Sequence, residues 1–225
     1  MQPTSPSTRQ NSDWGLVSSS IGKLALRCLA YFFLVAGVAF LPTLDLGRPN
    51  PLHQDQLFTE TSFVELGQLT LLLLSAIVGT SLWLGARGRA LGALLAAMLS
   101  AALVRELDYF LDKWFFDGAW QVVMSVLLVV SWWVIWPQRR ELSRQLQLLS
   151  SHLSFGLMFA GASIVIGFSR LFGRGEFWER LMGSDFDRSV KNLAEESIEL
   201  LGYTLLSIGV VECVLAFRRR IGRSE

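Results

Sequence analysis

Six ionisable side chains lie where an apolar chain should not carry them: Glu65, Arg105, Glu106, Asp108, Glu196 and Glu199. Each falls inside or beside a stretch apolar enough to enter a bilayer. A charge at membrane depth is costly unless it faces a protein interior or a wet cavity, so such residues are read first as a functional site. Carboxyl groups gathered in a low dielectric hold a proton, bind a cation or pair with a guanidinium. Arg105, next to Glu106, offers that pairing, while Gln68, Tyr109 and Tyr203 add neutral donors and acceptors at the same level.

Their spacing is helical. In Val-Arg-Glu-Leu-Asp-Tyr-Phe-Leu-Asp-Lys, residues 104–113, Arg105, Asp108 and Asp112 share one face at i, i+3, i+7. Glu106, Tyr109 and Lys113 share the neighbouring face. Near the C-terminal end Glu195, Glu199 and Tyr203 recur at i, i+4, i+8, with Glu196 offset by one position. Glu65, Glu106, Asp108, Glu195, Glu196 and Glu199 carry six negative charges, against four positive ones on Arg105, Lys113, Arg170 and Arg174. The surplus of acid points to proton or cation binding. For Glu195 and Glu196 alone the competing structural reading is stronger, because acids at a helix N-terminus favour its dipole.

The available donors limit which metal could be held. Tetrahedral zinc wants His or Cys, and the chain has two of each: His53, His152, Cys28 and Cys213. The histidines fall at opposite ends of the expected spans, and the cysteines read as free thiols in apolar surroundings. A carboxylate set such as Glu65, Glu106 and Glu199 suits calcium, magnesium or manganese rather than zinc. There is no Glu-x-x-His pair for a di-iron bundle, no Cys-x-x-Cys and no phosphate-cradling glycine loop.

The elements that would position these residues are membrane helices. The chain has 225 residues, of which 52% are hydrophobic and 17% charged, and mean hydropathy is +0.42. That composition belongs to polytopic membrane proteins. A net charge of +1 gives no case for nucleic acid. The expected fold is an all-α bundle of six transmembrane helices, residues 23–217, with a mobile cytoplasmic tail over 1–22 and a basic cytoplasmic end over 218–225.

Residues 28–44 read as a retained first span rather than a cleaved signal, since no A-x-A site follows the apolar run. Span two begins near Ser62, and Arg87-Gly88-Arg89 leaves room only for a tight hairpin. The uncharged run 90–104 is fifteen residues, roughly 22 Å of helix against a hydrocarbon core of about 30 Å. The third helix is therefore expected to continue through Arg105, Glu106 and Asp108. Gly88, Gly92, Ala96 and Ser100 recur every four residues on it, a close-packing spacing that would make this helix central. Span four ends at Pro137. Span five, about 152–171, carries Gly156/Ala160 and Ser163/Gly167 as further close-packing pairs. Between spans five and six, Phe177, Trp178, Leu181 and Met182 form one face of a short interfacial helix. Span six, counted back from Arg218, begins near Ile198.

Basic residues sort to alternate ends of these spans: Arg9, Lys23 and Arg27; Arg87 and Arg89; Arg139, Arg140 and Arg144; Arg218, Arg219, Arg220 and Arg223. The positive-inside rule puts both termini in the cytoplasm. Glu106 is then 17 residues from Arg89, Glu199 19 from Arg218 and Glu65 22 from Arg87, roughly 25, 28 and 33 Å of helix. All three reach the outer leaflet. The expected function is a multi-pass protein of the inner (plasma) membrane whose outward-facing carboxylate cluster binds a cation or polar ligand. A divalent-metal enzyme acting on lipid-linked or outer-leaflet substrates, and an accessory subunit pairing with another membrane protein, are the alternatives. The lipid bilayer is the partner common to all three.

Overall fold

The computed structural model describes residues 6–46, 62–85 and 88–221, with the side chains of 6–21 and 219–221 excepted. Parts of the tail, loop one with His53, the tight link at Arg87, and Arg219, Arg220 and Arg223 lie outside that description. All regular structure among the described residues is helical. Two compact units are present, Met1–Gly37 and Val38–Glu225.

The first unit is the greater part of helix α1, Pro6–Ala39. Its backbone is helical from Pro6, within the stretch whose composition reads as a mobile tail. The second unit begins with the end of α1 and the short α2, Leu41–Leu46. It continues with α3 (Phe63–Trp83), α4 (Arg89–Glu106), α5 (Asp108–Trp114), α6 (Ala119–Ile135) and α7 (Arg139–Ser150). Then follow α8 (Leu153–Ser163), a π-helical turn (Ile164–Phe168), α9 (Ser169–Phe172), α10 (Gly175–Met182) and α11 (Arg188–Ile221). Among the described residues, five helical stretches are long and apolar enough to cross a membrane, and six if the bent pair α4–α5 is one span.

Two helix ends are fixed by distant side chains. The Asp45 carboxylate accepts from the N–H groups of Phe63 at 2.8 Å and Val64 at 3.1 Å, while Ser62 Oγ accepts from Glu65 N–H at 3.0 Å. Together they satisfy three of the four orphan donors at the start of α3. Gly88, at φ 82°, turns the chain into α4 without a side-chain cap. Gln145 on α7 supplies the missing acceptor, its Oε1 taking Leu91 N–H at 2.8 Å while its Nε2 donates to Glu141.

The third span departs from the sequence expectation. Its helix does not continue through Asp108: it breaks at Leu107, and α5 leaves α4 at 62°. Asp108 Oδ1 accepts from Tyr109 N–H at 2.6 Å, a local bond of the kind that competes with helix continuation. The break leaves Asp108 and Lys113 exposed, so the shared face of Arg105, Asp108 and Asp112 does not form.

The small-residue stripe on α4 does pack closely. A Cβ on Gly92 would run into the backbone of Leu82 and Trp83, and one on Gly79 would lie 3.5 Å from Ala96 N. The central helix is nevertheless α11, not α4. In α11, 56% of the apolar window is buried inside the protein, the largest share of any candidate span. It packs against both α3 and α8. It also starts at Arg188 rather than near Ile198, bringing Glu195 and Glu196 within a continuous helix. On α8 the close approach falls elsewhere than expected: Gly156 and Gly167 face open space, whereas a Cβ on Gly161 would lie 2.5 Å from Gly202 O. The core joins Leu72, Leu82, Leu91, Leu95, Leu99, Tyr203, Val210 and Cys213 from α3, α4 and α11.

Candidate functional site

At the end of the second unit where α3 and α11 begin and α4 ends, four helical segments contribute polar side chains. α11 supplies Glu195, Glu196, Glu199 and Tyr203, which occupy adjacent positions on a helix of period 3.6. α4 brings Arg105 and Glu106 in its last turn, α3 brings Gln68, and α9 brings Ser169 and Arg170.

The π turn before α9 explains how the last two arrive. Such a turn inserts an extra residue and resets the facing of everything after it, and these turns recur at functional sites. Here the hydroxyl of Ser169, fully buried, lies 2.6 Å from Val165 O and 3.0 Å from Glu199 Oε1, two acceptors that share its one proton. Arg170 follows, with guanidinium nitrogens 3.7 Å from Glu199 Oε1 and 3.9 Å from Glu195 Oε1.

Glu199 is the hub. Its side chain is 4% exposed and also lies 3.5 Å from Arg105 Nη2, which in turn reaches Glu106 at 3.7 Å. Glu106 accepts from the Tyr203 hydroxyl at 2.6 Å. Glu195 pairs with Lys191 at 3.1 Å, and its carboxylate lies so close to Gly173 that any Cβ there would collide with it. Below this level the α3–α11 interface stays polar for one more step, where Ser75 Oγ donates to Ser207 Oγ at 2.8 Å. Beyond it come Ala76, Gly79, Val210 and Cys213, apolar or small and buried, before Arg218 donates to Ser81 at 3.1 Å near the other end.

Glu196 differs from its neighbours. Among the described residues it forms no ion pair, and its side chain is held by Gln68, whose Nε2 donates to Glu196 Oε2 at 2.9 Å and to its main-chain oxygen at 3.1 Å. Glu195, Glu199 and Glu106 act on it as like charges. Gln68 has no exposed surface, and its Oε1 has no hydrogen-bond partner among the described residues.

The structure therefore joins Arg105, Glu106, Glu196, Glu199, Gln68 and Tyr203 in one region. Asp108 and Tyr109 are exposed beyond the break at Leu107. Glu65 stands in the first turn of α3, one turn from Gln68. No three His, Cys, Asp or Glu side chains among the described residues come together so as to hold a metal ion, so Glu65, Glu106 and Glu199 do not form the expected divalent-cation set. Ser169 and the full roles of Arg170 and Lys191 were not visible in the sequence, because a π turn leaves no composition signal.

Fold and site together define a helical, multi-pass class of membrane protein with a polar cluster at one end of its bundle. Comparison with protein families, curated proteins and solved structures finds no match.

Proposed function

We propose that this protein binds a small cationic ligand bearing N–H or O–H donors at the Glu196–Gln68 pair, on the outer side of the inner (plasma) membrane. The observation that carries the reading is the pairing of a carboxyl group with a fully buried carboxamide where, among the described residues, the carboxyl has no ion-pair partner and the carboxamide oxygen accepts no hydrogen bond. Four glutamates against Arg105, Arg170 and Lys191 leave one negative charge in surplus, and it falls on Glu196. A buried acceptor left unsatisfied costs about 1–3 kcal/mol, which an incoming donor recovers.

Orientation follows from charge. Arg89, Arg139, Arg140, Arg144 and Arg218 lie at the end opposite the cluster, and basic ends face the cytoplasm. Between Ser207 and Arg218 the chain carries a single charged residue, Glu212, which favours a site reached from one side over a conducting path. An organic ammonium fits this site better than a divalent metal, because the carboxylates are spread among arginine, tyrosine and amide partners rather than converging on a point.

Thermal unfolding in detergent tests the proposal with methylammonium, sodium, magnesium, calcium and manganese as probes. Methylammonium is expected to raise the melting temperature of the native protein but not of Glu196→Gln or Gln68→Leu. Equal shifts in all three proteins, or none in the native one, would overturn it. Glu196→Gln also mimics a protonated carboxyl, so a variant that is more stable while the native protein ignores every probe assigns the surplus charge to a bound proton.

A further inference from the structure

The elbow between α9 and α10 carries a second, separate arrangement. A cavity of about 410 Å³ is lined by Leu171, Arg174, Glu176, Phe177, Arg180 and Leu181, within the roughly 300–1,000 Å³ range of small-ligand sites. The elbow is rigidly built: Trp178 Nε1 donates to Phe172 O at 2.6 Å, and the Trp178 ring lies 5.4 Å from Phe177 and 6.3 Å from Phe172. Because α9 ends an apolar span and α10 exposes Phe177 and Leu181, the cavity falls where a bilayer meets water.

Its charges are unspent. Arg174 and Arg180 form no ion pair among the described residues, although Glu176 lies one helical turn before Arg180. A surface ion pair is worth little, but two guanidiniums and one carboxylate held around one cavity match a ligand with the inverse pattern. We infer that the elbow binds a phosphatidylethanolamine headgroup: the phosphodiester sits between Arg174 and Arg180, the ammonium faces Glu176, and an acyl chain lies along Leu171 and Leu181. Guanidinium is the group suited to bidentate hydrogen bonding of phosphate oxygens. The match is made group by group: the two guanidiniums face the phosphodiester, and Glu176 faces the ammonium and disfavours a headgroup that lacks a cation.

The test is native mass spectrometry of the full chain released from mixed micelles containing equal phosphatidylethanolamine and phosphatidylglycerol. The native protein is expected to retain phosphatidylethanolamine in preference, and Arg174→Gln with Arg180→Gln to retain about tenfold less. Arg174→Lys with Arg180→Lys should recover part of the loss, and Glu176→Gln should abolish the preference between the two lipids. All these positions are exposed, so the variants are expected to fold. Retention unchanged in the glutamine pair, or equal retention of both lipids by the native protein, would overturn the inference. Neither result bears on Glu196 and Gln68, whose ligand is read by melting without lipid.

Discussion

The hydroxyl of Tyr203 donates to Glu106 Oε1 at 2.6 Å, tying α11 to α4 between residues 97 apart in sequence. Tyr203 is 2% exposed, so solvent does not replace the bond once it is lost. Tyr203→Phe is expected to lower unfolding stability by about 1–3 kcal/mol, the range for stranding a buried polar partner. Denaturant titration in micelles measures it. In the Glu106→Gln background the same Tyr203→Phe change should cost less, since an amide oxygen accepts more weakly than a carboxylate, and additive losses would count against the bond.

Gly161 and Gly156 stand five residues apart on α8 and should respond oppositely to one added methyl. Gly161→Ala drives a Cβ toward Gly202 O on α11 and is expected to destabilise by about 1–3 kcal/mol. Gly156→Ala meets nothing and should be neutral or stabilising by up to about 1 kcal/mol through helix propensity. Melting temperatures of the two variants check the pair.

Gly173 controls Glu195. Gly173→Ala is expected to push the Glu195 carboxylate away from Arg170 and Lys191, and thus to act through the same contact as Glu195→Gln. The double variant should lose less stability than the two single losses added together, a coupling a double-mutant cycle reads directly. Strict additivity would show that the methyl is absorbed elsewhere.

Gln145 caps α4 from another helix. Gln145→Leu leaves Leu91 N–H buried without its acceptor and should cost about 1–3 kcal/mol, whereas Gln145→Glu keeps that acceptor and loses stability instead through repulsion between its carboxylate and Glu141, to which Gln145 donates at 2.7 Å. Hydrogen exchange at the first turn of α4 distinguishes a lost cap from general loosening: only the leucine variant should exchange faster there.

The chain by itself determined its solvent and its element types. Long apolar runs punctuated by Ser62, Gly88 and Pro137 leave few alternatives to membrane helices, and α3 starts next to Ser62, where the sequence reading puts the second span. Periodicity on one helix also groups Glu195, Glu199 and Tyr203 as a set, with Glu196 one position off it, and depth counting puts Glu106 at the level of Glu199. Periodicity says which residues share a face, not which neighbour that face meets. Gly156 and Gly161 look alike in sequence, yet only Gly161 lies against another backbone.

What the tertiary structure alone decided is the pairing. At Leu107 the Asp108 side chain competes with helix continuation, but periodicity does not tell whether that local bond or the continuing helix wins, and the π turn at Ile164–Phe168 has no residue signature. The break at Leu107 removes Asp108 from the cluster, and the π turn brings in Ser169 and Arg170. Where the sequence set six acids against four cations without assigning partners, the structure gives Glu199, Glu195 and Glu106 each a cationic neighbour. Glu196, whose side-chain partner among the described residues is the buried amide of Gln68, is the one without such a neighbour among them.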